Sequence, residues 1–374
     1  MKQGAVKMSV SNKIQTISFP IDCRILVISD IHANTSRFEH LLAQMQYNHG
    51  IDYLIINGDL IEKGQENMQI VATIMQLVKS SNRVYVLEGN CDDLITCVLN
   101  EVDLWKYLNY QPLSLINEWL QVIGIDKNRI YLSPPKLKKL LQKYFQEELY
   151  WFTNLPTVLE SDEFIFVHAG ITSNTIDIRN RKEMLSIQWF LNKGHNFAKT
   201  VVVGHFPTRN YCTNTFFDSS IIIDERKKII SLDGGNQLDT DGQLNGLLIT
   251  KANGKISYQQ YSEDEFATTR IKTDYTPDLE SITNVVWPYS NLTILDKNEN
   301  FSLCVVEKYA GTPQWFKNEY IETIQNKSRL KKYHATYQLS VQRGDEVKII
   351  DDSCTGYTYI KKNGIVGWVP KNLL

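Results

Sequence analysis

The 374-residue chain has few cysteines and no long apolar run, and each of these scarcities excludes a class of protein. Its 6 cysteines are unevenly spaced and include no Cys-x-x-Cys pair, so they do not form a disulfide framework. The first apolar run, Ile25 to Ile28, is too short for a signal-peptide core or a membrane span, and Met1 to Pro20 is polar. We therefore expect a cytoplasmic protein with reduced cysteines and no membrane partner.

Net charge is also scarce, since the formal value is −2 at pH 7. A chain this close to neutral has no general attraction to nucleic acid, and we expect no nucleic-acid partner. The charge is uneven, because residues 324–374 carry about +5 and the rest of the chain about −7. With 43% hydrophobic residues the chain can bury a sizeable core, and its length favours two domains.

Apolar runs alternate with helical periodicity over the first part of the chain. Buried strands are predicted over Arg24 to Ser29, Tyr53 to Ile56 and Arg83 to Leu87, with helices over Arg37 to Tyr47 and Asn67 to Lys79. Each predicted strand ends on polar residues. The pattern is typical of an α/β protein that carries its site at the carboxyl ends of strands.

Residues 93–160 interrupt this alternation and predict a helical insertion over the site. The helices predicted there run from Leu94 to Leu108, Leu113 to Ile123 and Leu137 to Phe152, with Pro134-Pro135 as a breaker before the last. Strands are predicted again over Phe164 to Val167 and Thr200 to Val203. The shorter alternating runs between Ile221 and Tyr261 predict an antiparallel second sheet.

Six oxygen or nitrogen donors follow the predicted strands, namely Asp30, His32, Asp59, Asn90, His168 and His205. Each of them alone is typical of a turn, a cap or a buried polar residue, but their joint order predicts a dinuclear metal site. Asp59 can bridge two cations with its two carboxylate oxygens. Two such cations, roughly 3.5–4 Å apart, can hold a bridging hydroxide and clamp phosphate oxygens. The mixed donor set favours Mn²⁺, with Fe or Zn²⁺ as alternatives.

The segments that carry these six donors resemble the calcineurin-like metallophosphoesterases, and in detail the phosphoprotein phosphatase branch with its bacterial diadenosine tetraphosphatase relatives. The resemblance covers about residues 22–261 and includes Trp151-Phe-Thr-Asn-Leu-Pro156 and Val202-Val-Gly-His-Phe-Pro-Thr208. It implies a metallophosphoesterase-type β-sandwich flanked by helices. It also implies that Asp30, His32 and Asp59 hold one metal, and that Asp59 is shared with a second metal held by Asn90, His168 and His205.

The sequence departs from this family at its expected catalytic residues. The family's Gly-Asp-x-x-Asp-Arg-Gly reads Gly58 to Gly64 in this chain, with Glu62 in place of the orienting aspartate and Lys63 in place of arginine. Lys63 can still present a positive charge to a phosphate. The remaining residues that the resemblance implies are Cys91 and Asp92 as catalytic residues, and Arg179, Arg181 or Arg209 as a second phosphate ligand.

Cys91 stands where the family has its catalytic histidine, and three roles stay open for it. The thiol can act as a weakened general acid, the thiolate can become an extra metal ligand, or the side chain can merely pack. The sequence Gly-Asn-Cys-Asp also occurs in small phosphodiesterases and in the related retromer scaffold subunit. Substrates with good leaving groups depend least on a general acid.

The C-terminal segments Leu339 to Asp345 and Gly367 to Leu373 resemble a bacterial SH3-like domain, which implies a small all-β barrel. Its aromatic residues either line a groove for a peptide or protein ligand or fill the barrel's core. The predicted domains are therefore residues 1–265 for the metallophosphoesterase, 266–326 for a linker or unplaced region, and 327–374 for the SH3-like domain.

The function predicted from these features is dinuclear-metal-dependent hydrolysis by attack of a metal-bridging hydroxide. The expected substrates are phosphomonoesters on a small molecule or phosphoprotein, or dinucleoside polyphosphates. The alternatives are a phosphodiesterase, or a catalytically weak metal-binding scaffold that recruits partners through the SH3-like domain.

Overall fold

The computed structural model describes residues 13–213, 215–278, 284–286, 288, 290–309 and 313–374. The chain divides into two compact units. The first comprises residues up to Phe206, Ile221–Gln237 and Leu244–Glu263, and the second comprises Pro207–Ser220, Leu238–Gln243 and Asp264–Leu374. The start of the predicted first domain (1–12) and parts of the predicted linker (279–283, 287, 289 and 310–312) lie outside the described residues. No helix within the described ranges is both long and apolar enough to cross a membrane.

The first unit contains two β-sheets, and its elements are numbered in chain order. Sheet I has the strand order β1 (Ile14–Thr16), β5 (Val158–Glu160), β6 (Phe164–Val167), β7 (Thr200–Val203), β9 (Ile229–Ser231) and β8 (Ile222–Asp224). Sheet II has the order β11 (Lys255–Glu263), β10 (Leu244–Ala252), β2 (Cys23–Ile28), β3 (Tyr53–Asn57) and β4 (Val84–Leu87). The neighbours β2, β3 and β4 are parallel, as are β6, β7 and β9. The carboxyl ends of the ligand-bearing strands therefore meet at one edge of each sheet.

Successive residues of β2 contribute to two different hydrophobic cores. Ile25 and Val27 pack with Phe166 of sheet I, so the two sheets form a sandwich. Their neighbours Leu26 and Ile28 lie on the opposite face and pack with the helices. Because strand side chains alternate between faces, a strand buried on both sides reads as a continuous apolar run. Full burial of one such side chain stabilises the fold by roughly 1.5–3 kcal/mol.

Helices cover the outer face of sheet II and connect its strands. The helices of the first unit are α1 (Thr35–Gln44), α2 (Asn67–Ser80), α3 (Leu94–Leu99), α4 (Trp105–Tyr110), α5 (Leu115–Val122), α6 (Pro134–Tyr144), α7 (Gln146–Asn154), α8 (Arg181–Ser186) and α9 (Phe190–Lys193). The mixed α/β class predicted from the sequence is confirmed, and α3 to α7 form the helical insertion. Pro134 begins α6 instead of preceding it as a breaker, because proline is well accommodated in the first helical turn.

The strands predicted between residues 221 and 261 form antiparallel pairs, β8 with β9 and β10 with β11, but they do not form a sheet of their own as predicted. The strands β8 and β9 join sheet I, where β9 pairs in parallel with β7. The strands β10 and β11 join sheet II, where β10 pairs antiparallel with β2. The reason lies in the composition of β10, whose apolar residues need burial on both faces and obtain it beside the central strand of the sandwich.

The second unit consists of two antiparallel sheets. Sheet III has the order β12 (Ala267–Arg270), β18 (Glu346–Asp351), β19 (Tyr357–Lys362) and β20 (Ile365–Pro370). Sheet IV has the order β15 (Gln314–Lys317), β14 (Phe301–Val306), β13 (Asn291–Lys297), β17 (Lys327–Leu330) and β16 (Ile321–Ile324). Among the described residues these sheets do not close into a barrel. The expected boundary at residue 327 falls between β16 and β17, which are paired through four residues on each side.

Candidate metal centre

Four of the predicted ligands have a left-handed backbone, which non-glycine residues rarely adopt. The φ angles are 57° at Asp30, 49° at His32, 53° at Asp59 and 66° at His205. Such a conformation costs of order 1–3 kcal/mol at each residue and persists only where the surrounding structure holds it. Strain of this kind concentrates at functional sites, and here it turns each ligand inward at the end of its strand.

Glycines next to the ligands allow the strand ends to approach one another. A Cβ atom on Gly58 would lie 2.7 Å from Nδ1 of His168, and Gly58 itself has a φ of 85°. A Cβ on Gly204 would collide with the side chains of Ser29 and Asp30. The close approach therefore depends on glycine at both positions.

Asp59 directs its two carboxylate oxygens toward two different histidines. Its Oδ2 lies 3.8 Å from Nε2 of His32, and its Oδ1 lies 3.3 Å from Nε2 of His168. Asp30 completes the His32 side, with Oδ1 4.0 Å from the same nitrogen. A carboxylate that separates two sets of donors in this way is placed to bridge two cations.

The side-chain amide of Asn90 meets both remaining histidines. One end of this amide lies 3.1 Å from Nε2 of His168 and 2.7 Å from Nδ1 of His205. The ligand atoms of Asp59, His168 and His205 all lie within 4.8 Å of one another. With the amide oxygen facing Nδ1 of His205, whose other nitrogen is bonded to Ser186, lone pairs converge there without a hydrogen between them. That arrangement is unfavourable in an ordinary hydrogen-bond network and suits a cation.

The backbone fixes which nitrogen of each histidine faces the site. His168 Nδ1 lies 3.0 Å from the Asn57 carbonyl, and His32 Nδ1 lies 3.4 Å from the Ile61 carbonyl, so both rings present Nε2. His205 hydrogen-bonds the backbone of Ser186 and presents Nδ1. Metal-ligating histidines usually donate their other ring nitrogen in this manner.

Burial and neighbouring charges shift the pKa values of the buried donors. Burial alone would lower the pKa of His168, but the charges of Asp59 and Asp30 raise it to about 10. Burial opposes ionisation of Asp59, yet His168 and the other two histidines hold its pKa far below the usual range. Burial lowers the pKa of His205 to about 4. Two carboxylates, an amide and three imidazoles thus fit a pair of divalent cations, which would replace the proton on His168.

Asp92, predicted as a catalytic residue, lies beneath the ligand loops and organises them. Its carboxylate accepts hydrogen bonds from the backbone N–H groups of Asp59 (2.9 Å), Leu60 (3.0 Å) and Gly89 (2.8 Å). Burial and the charge of Asp59 raise the pKa of Asp92 to about 7 against these donors. All three contacts are structural, so the geometry gives Asp92 a positioning role.

Cys91 lies beside the His32 side of the site. Its sulfur is within 4.8 Å of the ligand atoms of His32 and Asp59, and its backbone N–H donates to Asp59 Oδ1 over 2.8 Å. Burial, followed by the charge of Asp59, raises the pKa of the thiol well above its ordinary value. The nearby charge of Lys63, a half-buried residue with a φ of 72°, acts in the opposite direction. The structure thus brings both of these predicted residues to the centre.

Glu62 anchors the helical insertion. Its carboxylate accepts a hydrogen bond of 2.6 Å from the hydroxyl of Tyr107 in α4 and one of 3.0 Å from the N–H of Leu115 at the start of α5. A catalytic role for Glu62 stays a prediction. Its longer side chain reaches the insertion, where both oxygens are used.

Two of the three predicted phosphate-binding arginines are already engaged. Arg181 forms a fork with Glu88, both N–O distances being 2.7 Å, and contacts Asp93 over 2.6 Å. Arg209 is 1% exposed, ion-paired with Asp241 and bonded to the carbonyl of Tyr333 in the second unit. Neither guanidinium is free for a phosphate, so both predictions are corrected.

Arg179 is the remaining predicted phosphate ligand. Its side chain is 87% exposed and contacts Asp177, two residues before it. A long exposed side chain held only by its near neighbour keeps its reach. Arg179 stays a prediction.

Sequence reasoning missed three supporting residues. Asn57 donates to the carbonyls of Val167 and Val202 and so ties sheet II to sheet I below the centre. Asn236 donates to the carbonyl of Ile31 and fixes the first ligand loop. Tyr107 holds Glu62, as described above. The one sequence signal was the position of Asn57 next to Gly58-Asp59 at a strand end; Asn236 and Tyr107 lie far from the ligands in sequence.

An α/β sandwich that carries a carboxylate between two sets of donors offers an arrangement that could hold two divalent cations. Residues 23–225 match the family model of calcineurin-like phosphoesterases, and the chain belongs to this family, whose members use divalent metals. The chain is 27% identical over 165 residues to bis(5′-nucleosyl)-tetraphosphatase PrpE (asymmetrical) of Anoxybacillus flavithermus. It is 32% identical over 116 residues to a symmetrical bis(5′-nucleosyl)-tetraphosphatase of Buchnera aphidicola.

These matches cover part of each protein. They include 42% and 28% of this chain, respectively, and the chain spans 61% and 41% of the length of these two relatives. Among solved structures, the cold-active protein-tyrosine phosphatase of a Shewanella species aligns with a TM-score of 0.40 at 13% identity. That alignment covers 70% of this chain and 86% of the other.

Proposed function

We propose that this chain is a dinuclear-metal phosphoesterase whose substrates are phosphomonoesters or dinucleoside polyphosphates. The observation that carries the proposal is the bridging position of Asp59, whose two oxygens face His32 and His168 separately. Two divalent cations, with Mn²⁺ favoured over Fe or Zn²⁺, would polarise the phosphate and activate water. The relatives named as bis(5′-nucleosyl)-tetraphosphatases favour a phosphoanhydride substrate.

The residues of the chain itself divide the work around the substrate phosphate. Asp30, His32 and Asp59 would hold one cation, while Asn90, His168 and His205 would share the other with Asp59. Lys63, whose charge acts on Cys91, would neutralise a phosphate oxygen, as a point charge and not as a bidentate fork. Asp92 keeps Asp59 in place through its backbone N–H.

Cys91 limits the range of leaving groups in this proposal. Its raised pKa keeps the sulfur protonated, so it can donate a proton, but less readily than an imidazolium. We expect phosphoanhydrides and activated esters to be hydrolysed faster than alkyl phosphates. The alternative is a phosphodiesterase or a catalytically weak metal-binding scaffold. The presence of cysteine at position 91, where the family has its catalytic histidine, favours this alternative.

A substrate panel separates these functions. Purified protein with Mn²⁺ is assayed on p-nitrophenyl phosphate, bis-p-nitrophenyl phosphate, a phosphoserine peptide and diadenosine tetraphosphate. We expect diadenosine tetraphosphate to be hydrolysed fastest, and Cys91→His to raise the rate on the phosphoserine peptide about 10²-fold or more, the usual contribution of a general acid. A preference for the bis-ester favours the phosphodiesterase, and bound metal without turnover on any substrate favours the scaffold.

For the C-terminal residues we propose an SH3-like module that binds a peptide. A cavity of about 240 Å³ is lined by aromatic and uncharged side chains, namely Asn298, Phe301, Trp315, Thr336, Gln338, Tyr357 and Trp368. Tyr337 and Tyr359, by contrast, are buried in the core of the unit. A proline-rich peptide should bind the wild type and lose affinity for Trp315→Ala, and equal affinity for both would exclude this cavity. The cytoplasmic location stays a prediction.

A further inference from the structure

A recess opens between α8 and α9, beside the metal centre. It has a volume of about 570 Å³ and is lined by Thr172, Lys182, Glu183, Ser186, Ile187 and Lys193. None of these residues belongs to the ligand set described above. The recess is therefore a separate feature of the first unit, large enough for a chain of phosphates.

The charge of the recess is positive. The carboxylate of Glu183 is occupied by Thr172, whose N–H lies 3.1 Å from it and whose hydroxyl also contacts it. Lys182 and Lys193 are exposed and form no ion pair with any described residue. Two lysines against one occupied carboxylate leave a surface that attracts anions.

The wall of the recess continues directly into the metal centre. The carbonyl of Leu185 lies 3.2 Å from the amide of Asn90, and the backbone of Ser186 hydrogen-bonds His205. Ser186 also lines the recess. A phosphate chain that begins at the metal ligands can thus extend along α8 toward the recess.

An aromatic side chain lies just beyond the recess. Trp189, between α8 and α9, has a left-handed backbone with a φ of 61° and a ψ of 32°. Its ring packs at 4.6 Å from the ring of Phe206, the residue after His205, and the side chain remains partly exposed. A strained backbone that holds a partly exposed indole next to a ligand loop is a reason to look for a function.

We propose that this segment binds the distal part of a nucleotide-capped polyphosphate. Lys182 and Lys193 contact phosphates beyond the one held at the metal centre, and Trp189 stacks on the nucleobase. The inference rests on the proposed phosphoesterase function and names the substrate class for that site. It assigns substrate preference to the chain between α8 and α9.

The first test is equilibrium binding by isothermal titration calorimetry with the Mn²⁺-loaded protein. The probes are a methylene-bridged diadenosine tetraphosphate, which resists hydrolysis, and inorganic tripolyphosphate, which has no base. Lys182→Ala/Lys193→Ala should weaken the binding of both probes by about two- to thirty-fold. Each exposed ion pair contributes up to about five-fold to the affinity. The loss should shrink as salt is raised. Lys136→Ala/Lys139→Ala removes the same charge from α6 and should change neither affinity.

Trp189 is tested with the same two probes. Trp189→Ala should weaken the binding of the dinucleotide by about five-fold or more, which is the usual contribution of stacking a base on an aromatic ring. The affinity for tripolyphosphate should stay the same. Trp189→Phe should retain most of the affinity. Equal losses on both probes would mean that the ring only supports the loop, and no loss on either would overturn the stacking role.

The failure of this inference is distinguishable from the failure of the proposed function. Suppose that the wild type hydrolyses p-nitrophenyl phosphate, but that Lys182→Ala/Lys193→Ala weakens the binding of this monoester as much as that of the dinucleotide. The recess is then not a distal subsite, and only the inference fails. If the wild type hydrolyses nothing, the proposed function fails, while the binding isotherms still decide the recess. Support requires a loss for the dinucleotide at least about two-fold larger than for the monoester.

Discussion

Replacing Asp59 with asparagine should remove the stabilisation that the protein gains from Mn²⁺. The substitution keeps the shape of the side chain but deletes the charge that lies between His32 and His168. At a Mn²⁺ concentration 100-fold above its Kd, binding should stabilise the wild type by about 2.7 kcal/mol. For a unit of this size that corresponds to a rise in Tm of about 5–11 °C.

The variant should lose most of this rise. Even an outer partner of a metal ligand contributes about 10–100-fold to affinity, and a shared ligand contributes at least as much. A 100-fold weaker Kd leaves only about 0.4 kcal/mol of stabilisation, or about 1–2 °C. Differential scanning fluorimetry with increasing Mn²⁺ measures both values.

The matched control is Asp52→Asn, which changes another buried carboxylate of the same unit. Asp52 accepts the N–H of Asn48 over 2.9 Å and lies 3.5 Å from Arg24, with no contact to the ligands. This control should lower the Tm with and without Mn²⁺ and keep the metal-dependent rise. If Asp59→Asn kept the full rise as well, the bridging role of Asp59 would be refuted.

Two further predictions concern the insertion and the second unit. Tyr107→Phe removes the hydroxyl that donates to Glu62 over 2.6 Å; since Glu62 is 0% exposed, we expect a loss of about 1.5–3 kcal/mol in urea unfolding, and a loss below about 0.5 kcal/mol would contradict the anchoring role. His334, which stacks on Tyr320 at 3.8 Å, has its pKa lowered by burial from 6.5 to about 3. It stays neutral in the folded protein while the unfolded chain takes up a proton, so stability should fall as the pH drops from about 6.5 toward 3, by at most about 1.4 kcal/mol per pH unit. His334→Phe should show a smaller acid loss in urea unfolding at a series of pH values, and an unchanged pH profile would be evidence against this account.

The ligand-bearing strands could be predicted because each is a short apolar run that ends on polar residues. Phe164–Val167 and Thr200–Val203 have the predicted bounds, and β3 differs from its prediction by one residue. The sequence could not reveal which strands are neighbours, because pairing between distant segments leaves no local signal. The antiparallel pairing of β10 with β2 is one such case.

The predicted metal donors follow from local sequence pattern, whereas the contacts of the arginines depend on residues far away in the chain. The donors lie at strand ends, whose positions follow from local pattern, so the ligand set could be proposed from sequence. Arg181 and Arg209 are bound instead by Glu88 and Asp241, which lie 93 and 32 residues away in the chain. A charged side chain is equally plausible as a phosphate ligand or as half of a buried ion pair until its partner is known.

The second unit is discontinuous in sequence, and this has a consequence for the order of events during synthesis. Arg209 leaves the ribosome 124 residues before Tyr333, whose carbonyl it binds 2.8 Å away in the finished protein. Its other contact, Asp241, also belongs to the loops that the second unit takes from within the first. Until the last strands emerge, Pro207–Ser220 lacks the sheets on which it packs, although the chain beside it already carries His205. A nascent chain interrupted near residue 265 would therefore contain Pro207–Ser220 without the Tyr333 carbonyl and the sheets that cover this segment, and a protease could cut it there.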